Sequence, residues 1–169
     1  MTAFDDLLDA NAAYAKTFAD AGLAPRAARG VAILTCFDSR IEPLRMLGLA
    51  KGDAKILRNA GARVTDDVLR TLVLATHLLG VDRVFVVPHT RCRMTESTEE
   101  DIHRVILERA GVDTRSLEFR TERDQVGALR GDLVRIRAYP LLPRDLAVGG
   151  AIYDVDTGQL DPIDLGGRT

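Results

Sequence analysis

The chain has 169 residues, enough for one domain around a single core, and its 46% hydrophobic and 28% charged residues are those of an ordinary globular protein, not a disordered or fibrous one. Its formal net charge is −2, with Lys and Arg scattered along the chain, which speaks against nucleic-acid binding through a basic surface. No apolar run approaches the length needed to span a bilayer.

The acidic start, Thr2-Ala-Phe-Asp-Asp6, has no basic region followed by an apolar stretch, so it does not read as a signal peptide, and the cytoplasm is the expected compartment. The only two cysteines are Cys36 and Cys92. In a reducing compartment they point to metal binding or reactivity rather than to a structural disulfide.

In chain order, residues 3–20 have the spacing of an amphipathic helix, with Phe4, Leu7, Leu8, Asn11, Tyr14, Ala15 and Phe18 on one face; Gly22 and Pro25 end it. A loop over 23–30 leads to Val31–Cys36, a short apolar run of strand type, and then to the loop Phe37-Asp-Ser-Arg40. Pro43 suits the first turn of a short helix ending near Gly48. Ala54–Arg58 is a second strand candidate, with turn chemistry in Asn59-Ala-Gly61. Thr65 caps a helix over 66–79, with Asp66 and Asp67 at its positive end and Gly80 beyond it.

Asp82–Pro88 reads as the third strand, followed directly by His89-Thr-Arg-Cys92. Ser97 with Glu100 has the pattern of a capping box opening a helix that Gly111 closes. Thr121 with Asp124 opens another, with Val126, Leu129, Leu133 and Ile136 on one face. Ala147–Val155 is strand-like, and Asp156–Gln159 reads as a hairpin turn. Strands alternating with helices imply an α/β fold with a mostly parallel sheet covered on both faces. Ligands of such sheets sit beyond the carboxyl ends of the strands, where Cys36 and the His89–Cys92 pair both fall.

Cysteine thiolate and histidine imidazole are good zinc ligands. His89-x-x-Cys92 puts two in one tight turn, and Cys36 supplies a third. No strong fourth ligand is visible: His77 lies mid-helix, and His103 lies beside the apolar face Ile102, Val105 and Ile106 and is expected to be exposed. Three protein ligands and an open position are what a catalytic zinc site has. Spacing alone decides little, since a free cysteine is as often a small buried apolar side chain. Asp38 and Arg40, two and four residues beyond Cys36, add chemistry. They form either a surface salt bridge of little value or a carboxylate held beside a metal-bound water by a guanidinium.

These motifs resemble those of the β-class carbonic anhydrases: Cys36-Phe-Asp38-Ser-Arg40 matches the family's Cys-x-Asp-x-Arg, and His89-Thr-Arg-Cys92 its His-x-x-Cys. Arg58-Asn-Ala-Gly61 and Gly150–Gly158 match its turn and its C-terminal strand with hairpin, over about residues 31–160, most like the short actinobacterial branch. The resemblance implies one domain over 1–169, with 1–22 an N-terminal helical arm and an antiparallel edge strand at the C-terminus. It implies one Zn2+ per chain on Cys36, His89 and Cys92, and zinc-bound hydroxide converting CO2 and water to bicarbonate. Asp38 and Arg40 are then the catalytic dyad, with Asp38 also able to swing onto the metal. A homodimer or higher oligomer follows, with no nucleic acid or membrane partner.

Two departures stand beside Cys92: Arg93 where the family usually has glycine, and Arg91 before it. Arg93 either crowds the turn, alters the cavity or projects outward, and both cations favour the Cys92 thiolate. Two other functions stay open: hydrolysis of a small electrophile such as carbon disulfide or carbonyl sulfide, and a zinc-binding redox or metal sensor without activity.

Overall fold

The computed structural model describes residues 2–164. Strand β1 (Val31–Cys36) is buried along its whole length, as an uninterrupted apolar run demands. It pairs in parallel with β2 (Ala54–Asn59) on one side and β3 (Arg83–Val87) on the other. Strand β4 (Ala147–Tyr153) continues the parallel sheet beside β3, and β5 (Leu160–Pro162) closes it as an antiparallel edge, giving the order β2-β1-β3-β4-β5. The expected mixed α/β architecture, mostly parallel with helices about it, is therefore the one observed.

Alternation along β1 sends Ala32 and Leu34 into the larger core and Val31 and Ile33 to the opposite face. The larger core is completed by Leu69 and Leu72 from α3 (Asp66–Leu78) and by Leu129, Leu133 and Ile136 from α6 (Gln125–Arg137). Gly150 makes this packing possible: a Cβ there would lie 2.9 Å from the Val86 carbonyl oxygen and 3.0 Å from Leu129 Cδ1. On the other face Met46, of the short helix α2 (Pro43–Met46), packs with Leu47 and Leu49 against Val31, Ile33 and Val87.

Several expected boundaries shift. Helix α1 is shorter than its apolar spacing suggests, Asp5–Ala15, and buries none of its residues. Phe4, Leu7, Leu8, Tyr14 and Phe18 are all about half exposed or more. A four-residue helix, α4 (Arg93–Glu96), follows Cys92 directly and went unread in the sequence. The capping box of α5 (Glu99–Ala110) is Thr98 with Asp101, one register on from Ser97 and Glu100. Glu99 is not free for a capping role: its carboxylate accepts the backbone N–H of Phe119 and of Thr121. Helix α6 is capped by Asp124 itself, through the N–H of Gly127.

Asp132 of α6 is buried and ties the helix to the segment after β2, accepting from Arg63 Nε at 2.8 Å and from the Val64 N–H at 3.2 Å. Asp132→Ala leaves a largely buried guanidinium unpaired. We expect a loss of about 3 kcal/mol, the low end for breaking a buried pair, because Arg63 keeps some solvent access. In a thermal melt that is a fall of roughly 10 °C, and a shift under about 2 °C would show the pair to be unimportant.

Candidate metal centre

The register places Thr35 opposite Val87, so β1 and β3 end side by side and release Cys36 and the His89–Cys92 turn at the same edge of the sheet. That turn is laced to β4. His89 and Tyr153 form a parallel bridge, Tyr153 N–H donates to the Pro88 carbonyl at 2.8 Å, and Thr90 N–H donates to the Tyr153 carbonyl at 2.9 Å. Cys36, His89 and Cys92 are all buried, and their ligand atoms lie within 4.8 Å of one another. The two sulfurs are 4.0 Å apart.

His89 shows what this cluster can hold. Its Nδ1 lies 2.8 Å from the Thr90 carbonyl oxygen, which can only accept, so Nδ1 carries the proton and Nε2 presents a lone pair. Nε2 is the one buried side-chain N or O among the described residues with no hydrogen-bond partner. Leaving a polar atom so buried costs about 1–3 kcal/mol. A metal ion between Nε2 and the two sulfurs would remove that penalty, and the donor set of two thiols and one imidazole suits a tetrahedral metal. The thiols are unequal: their mutual contact lowers the Cys36 pKa and, together with burial, raises that of Cys92.

Asp38 lies at the mouth of this cluster, with Oδ2 3.8 Å from His89 Nε2. Arg40 grips it three ways: the Arg40 backbone N–H and Nε both reach Oδ1 at 2.9 Å, and Nη2 reaches Oδ2 at 2.8 Å. Arg40 Nη2 also donates to the Arg91 carbonyl at 3.1 Å. The Arg40 guanidinium, helped by its backbone N–H, holds the Asp38 carboxyl well below the usual carboxylate range. Asp38 is therefore an anion throughout the neutral range. The stability this shift contributes is present above the ordinary carboxylate pKa and is lost only as the pH falls into strong acid.

Two supports were not foreseen. Arg58 donates from Nε to the Cys36 carbonyl at 2.9 Å and from Nη2 to the Asp38 carbonyl at 2.6 Å, so it fixes the loop between ligand and dyad. The β1–β2 register sets Arg58 opposite Thr35, one residue before Cys36. Gln125, at the start of α6, donates from Nε2 to the His89 carbonyl at 2.9 Å, a long-range contact that no local pattern announces.

The remaining histidines stay away from the cluster. His77 is exposed, with Nε2 2.9 Å from the Leu141 carbonyl oxygen. His103 is not exposed as expected: it is partly buried, its ring lies 5.3 Å from that of Phe119, and Nδ1 meets Thr114 Oγ1 at 2.9 Å. Arg93 opens α4 and points into solvent. It is Arg91 that takes a left-handed backbone, with φ 51°.

Comparison with known proteins agrees with this geometry. The family model described as carbonic anhydrase matches residues 31–160. β-Carbonic anhydrase 1 of Mycobacterium tuberculosis is 37% identical over 164 residues, covering 96% of this chain and 99% of that protein. A carbon disulfide hydrolase of Acidianus sp. is 30% identical, covering 76% of this chain and 74% of its own. The crystal structure of a carbonic anhydrase from Streptococcus mutans superposes with a TM-score of 0.90 at 40% identity, covering 97% of this chain and 99% of that one. The chain, with its Cys-His-Cys cluster at the carboxyl edge of a five-stranded sheet, belongs to the β-carbonic anhydrase family.

Proposed function

We propose that this protein catalyses the reversible hydration of carbon dioxide to bicarbonate, with one zinc ion per chain held by Cys36, His89 and Cys92. The observation that carries the reading is the buried, partnerless Nε2 of His89, set between two thiols and facing a carboxylate that Arg40 has immobilised. When bound, zinc supplies the Lewis acidity that makes water a nucleophile near neutral pH.

The chain's own residues do the rest. Asp38 is anionic and can only accept, so it takes a hydrogen bond from the attacking water or hydroxide and leaves an oxygen lone pair directed at the carbon of CO2. Arg40 fixes the angle from which Asp38 does so, and Arg58 fixes the loop that carries both. Thr90 holds the His89 ring by its Nδ1–H, which keeps Nε2 aimed into the cluster.

The test is CO2 hydration by the zinc-loaded protein from about pH 6 to about pH 9. With Cys36 and Cys92 as thiolates, a zinc ion held here would acidify water less than one held by neutral ligands alone. Asp38 is already ionised and adds no titration in this range. We therefore expect the rate to rise toward alkaline pH. A flat or acid-favouring profile contradicts this account, and no hydration with one zinc per chain confirmed supports a metal or redox sensor instead.

The carbon disulfide hydrolase relative gives a second reading, hydrolysis of that substrate or of carbonyl sulfide. Assaying it beside CO2 separates the two. A homodimer or larger assembly completes the proposal, with the open apolar stripe of α1 covered by a second copy. No helix is long and apolar enough to cross a membrane. We place the protein in the cytoplasm, where its thiols stay reduced.

A further inference from the structure

We infer that Arg91 and Asp156 are positioning residues: their ion pair, anchored in the hairpin after β4, sets Arg40 and through it Asp38. The inference rests on the dyad role proposed above for Asp38 and Arg40. Arg40 is 41% exposed, so packing alone does not hold its guanidinium in place. Beyond Asp38, the one group among the described residues that it bonds is the Arg91 carbonyl, through the same Nη2 that grips Asp38 Oδ2. That carbonyl is presented to Arg40 by a residue in the left-handed region, which a long L side chain avoids unless something holds it there.

Asp156 is what holds it. Arg91 Nη2 lies 3.1 Å from Asp156 Oδ1. Asp156 belongs to a rigid turn, in which Asp154 Oδ1 accepts the N–H of Asp156 at 2.7 Å and of Thr157 at 3.1 Å, and the Asp154 carbonyl accepts the N–H of Gly158 at 2.8 Å. The turn is fastened in its own right to the metal-cluster turn, because Val155 N–H donates to Thr90 Oγ1 at 3.2 Å. A continuous path therefore runs from Asp156 through Arg91 and Arg40 to Asp38. After Asp38 itself, Asp156 also contributes to the negative field that favours the charged form of Arg40. Arg91 fills an unspecified position of the His-x-x-Cys motif and Asp156 lies outside both motifs, and an exposed ion pair is ordinarily worth little. This one differs because it stabilises a backbone whose carbonyl holds a site residue.

The test is a charge-swap cycle of Arg91→Asp, Asp156→Arg and the double variant, with Asp156→Asn as a milder single change and Arg40→Ala as control. Aspartate tolerates positive φ, so the swap does not strain the turn. Each single variant is expected to lower kcat by up to about fivefold, the range an exposed pair provides, while KM moves less than about twofold. The double variant is expected to recover most of that loss.

A second readout needs no metal. Hydrogen exchange at the Arg40 Nε–H, followed by NMR in the metal-free protein, is expected to quicken in the single variants and slow again in the double. Single variants with wild-type kcat and exchange, or a double variant that recovers nothing, overturn the inference while an inactive Arg40→Ala leaves the dyad standing. An Arg40→Ala protein with full activity removes the dyad reading and this inference with it.

Discussion

His89→Ala is expected to give a folded protein that neither holds zinc nor hydrates CO2. A zinc site assembled from a few protein ligands supplies on the order of 10 kcal/mol, so the loss of one of three should weaken binding by about 3 kcal/mol or more, at least about 100-fold. Dialysis followed by metal analysis should find about one zinc per wild-type chain and almost none in the variant. Thermal melts separate loss of metal from loss of fold. Added zinc should raise the wild-type melting temperature, because an ion that binds only the native state stabilises it, and should leave the variant unmoved. The backbone around His89 does not depend on its ring, since its carbonyl is held by Gln125 and the neighbouring peptide groups by Tyr153. A variant that retains zinc at wild-type affinity would remove His89 from the ligand set, and the same experiment on Cys36→Ala and Cys92→Ala tests the other two.

Arg40→Ala should do the opposite: keep the metal and lose the reaction. The substitution strips Asp38 of its two guanidinium hydrogen bonds and leaves only the backbone N–H at position 40. With Oδ2 already 3.8 Å from His89 Nε2, the freed carboxylate needs only a small rotation to reach the space between His89 and the sulfurs. A misplaced orienting group costs about 100-fold in rate, and a carboxylate that blocks the position costs more. Arg40→Lys keeps the charge without the planar fork and should recover part of the rate at best. Wild-type turnover in Arg40→Ala would mean that the dyad is a surface ion pair and nothing more.

The strands were legible because burial on both faces leaves nearly continuous apolar runs such as Val31–Cys36, and their alternation with helices fixed the parallel sheet. The three cluster residues could be proposed because a parallel sheet collects its strand ends at one edge, whatever their separation along the chain. What local pattern misjudged depends on distant partners. The helix start moved one residue on from Ser97–Glu100 because Thr98 and Asp101 make the reciprocal cap, and His103 was drawn inward by the segment around Phe119. Arg58 and Gln125 act on backbone carbonyls, which carry no residue-specific signal in a sequence. Helix α1 was read from its amphipathic spacing, but that spacing does not say whose surface its apolar face covers, and in this chain none of its residues is buried.

The placement of the cluster at the ends of β1 and β3 also orders events in time. Cys36 and Cys92 stand 56 positions apart and meet only when β1 and β3 pair in parallel, a contact that requires the intervening strand, turn and helix to fold into a crossover. Such non-local pairings form late, after the cost of closing a long loop has been met. Before then the nascent chain offers a metal only His89 and Cys92, a two-point grip from one turn. On the ligand set proposed above, selection among metals would be deferred until the sheet is complete, with the two thiols separate and open to oxidation in the interval. The topology that builds the site also sets the earliest moment at which it can be filled.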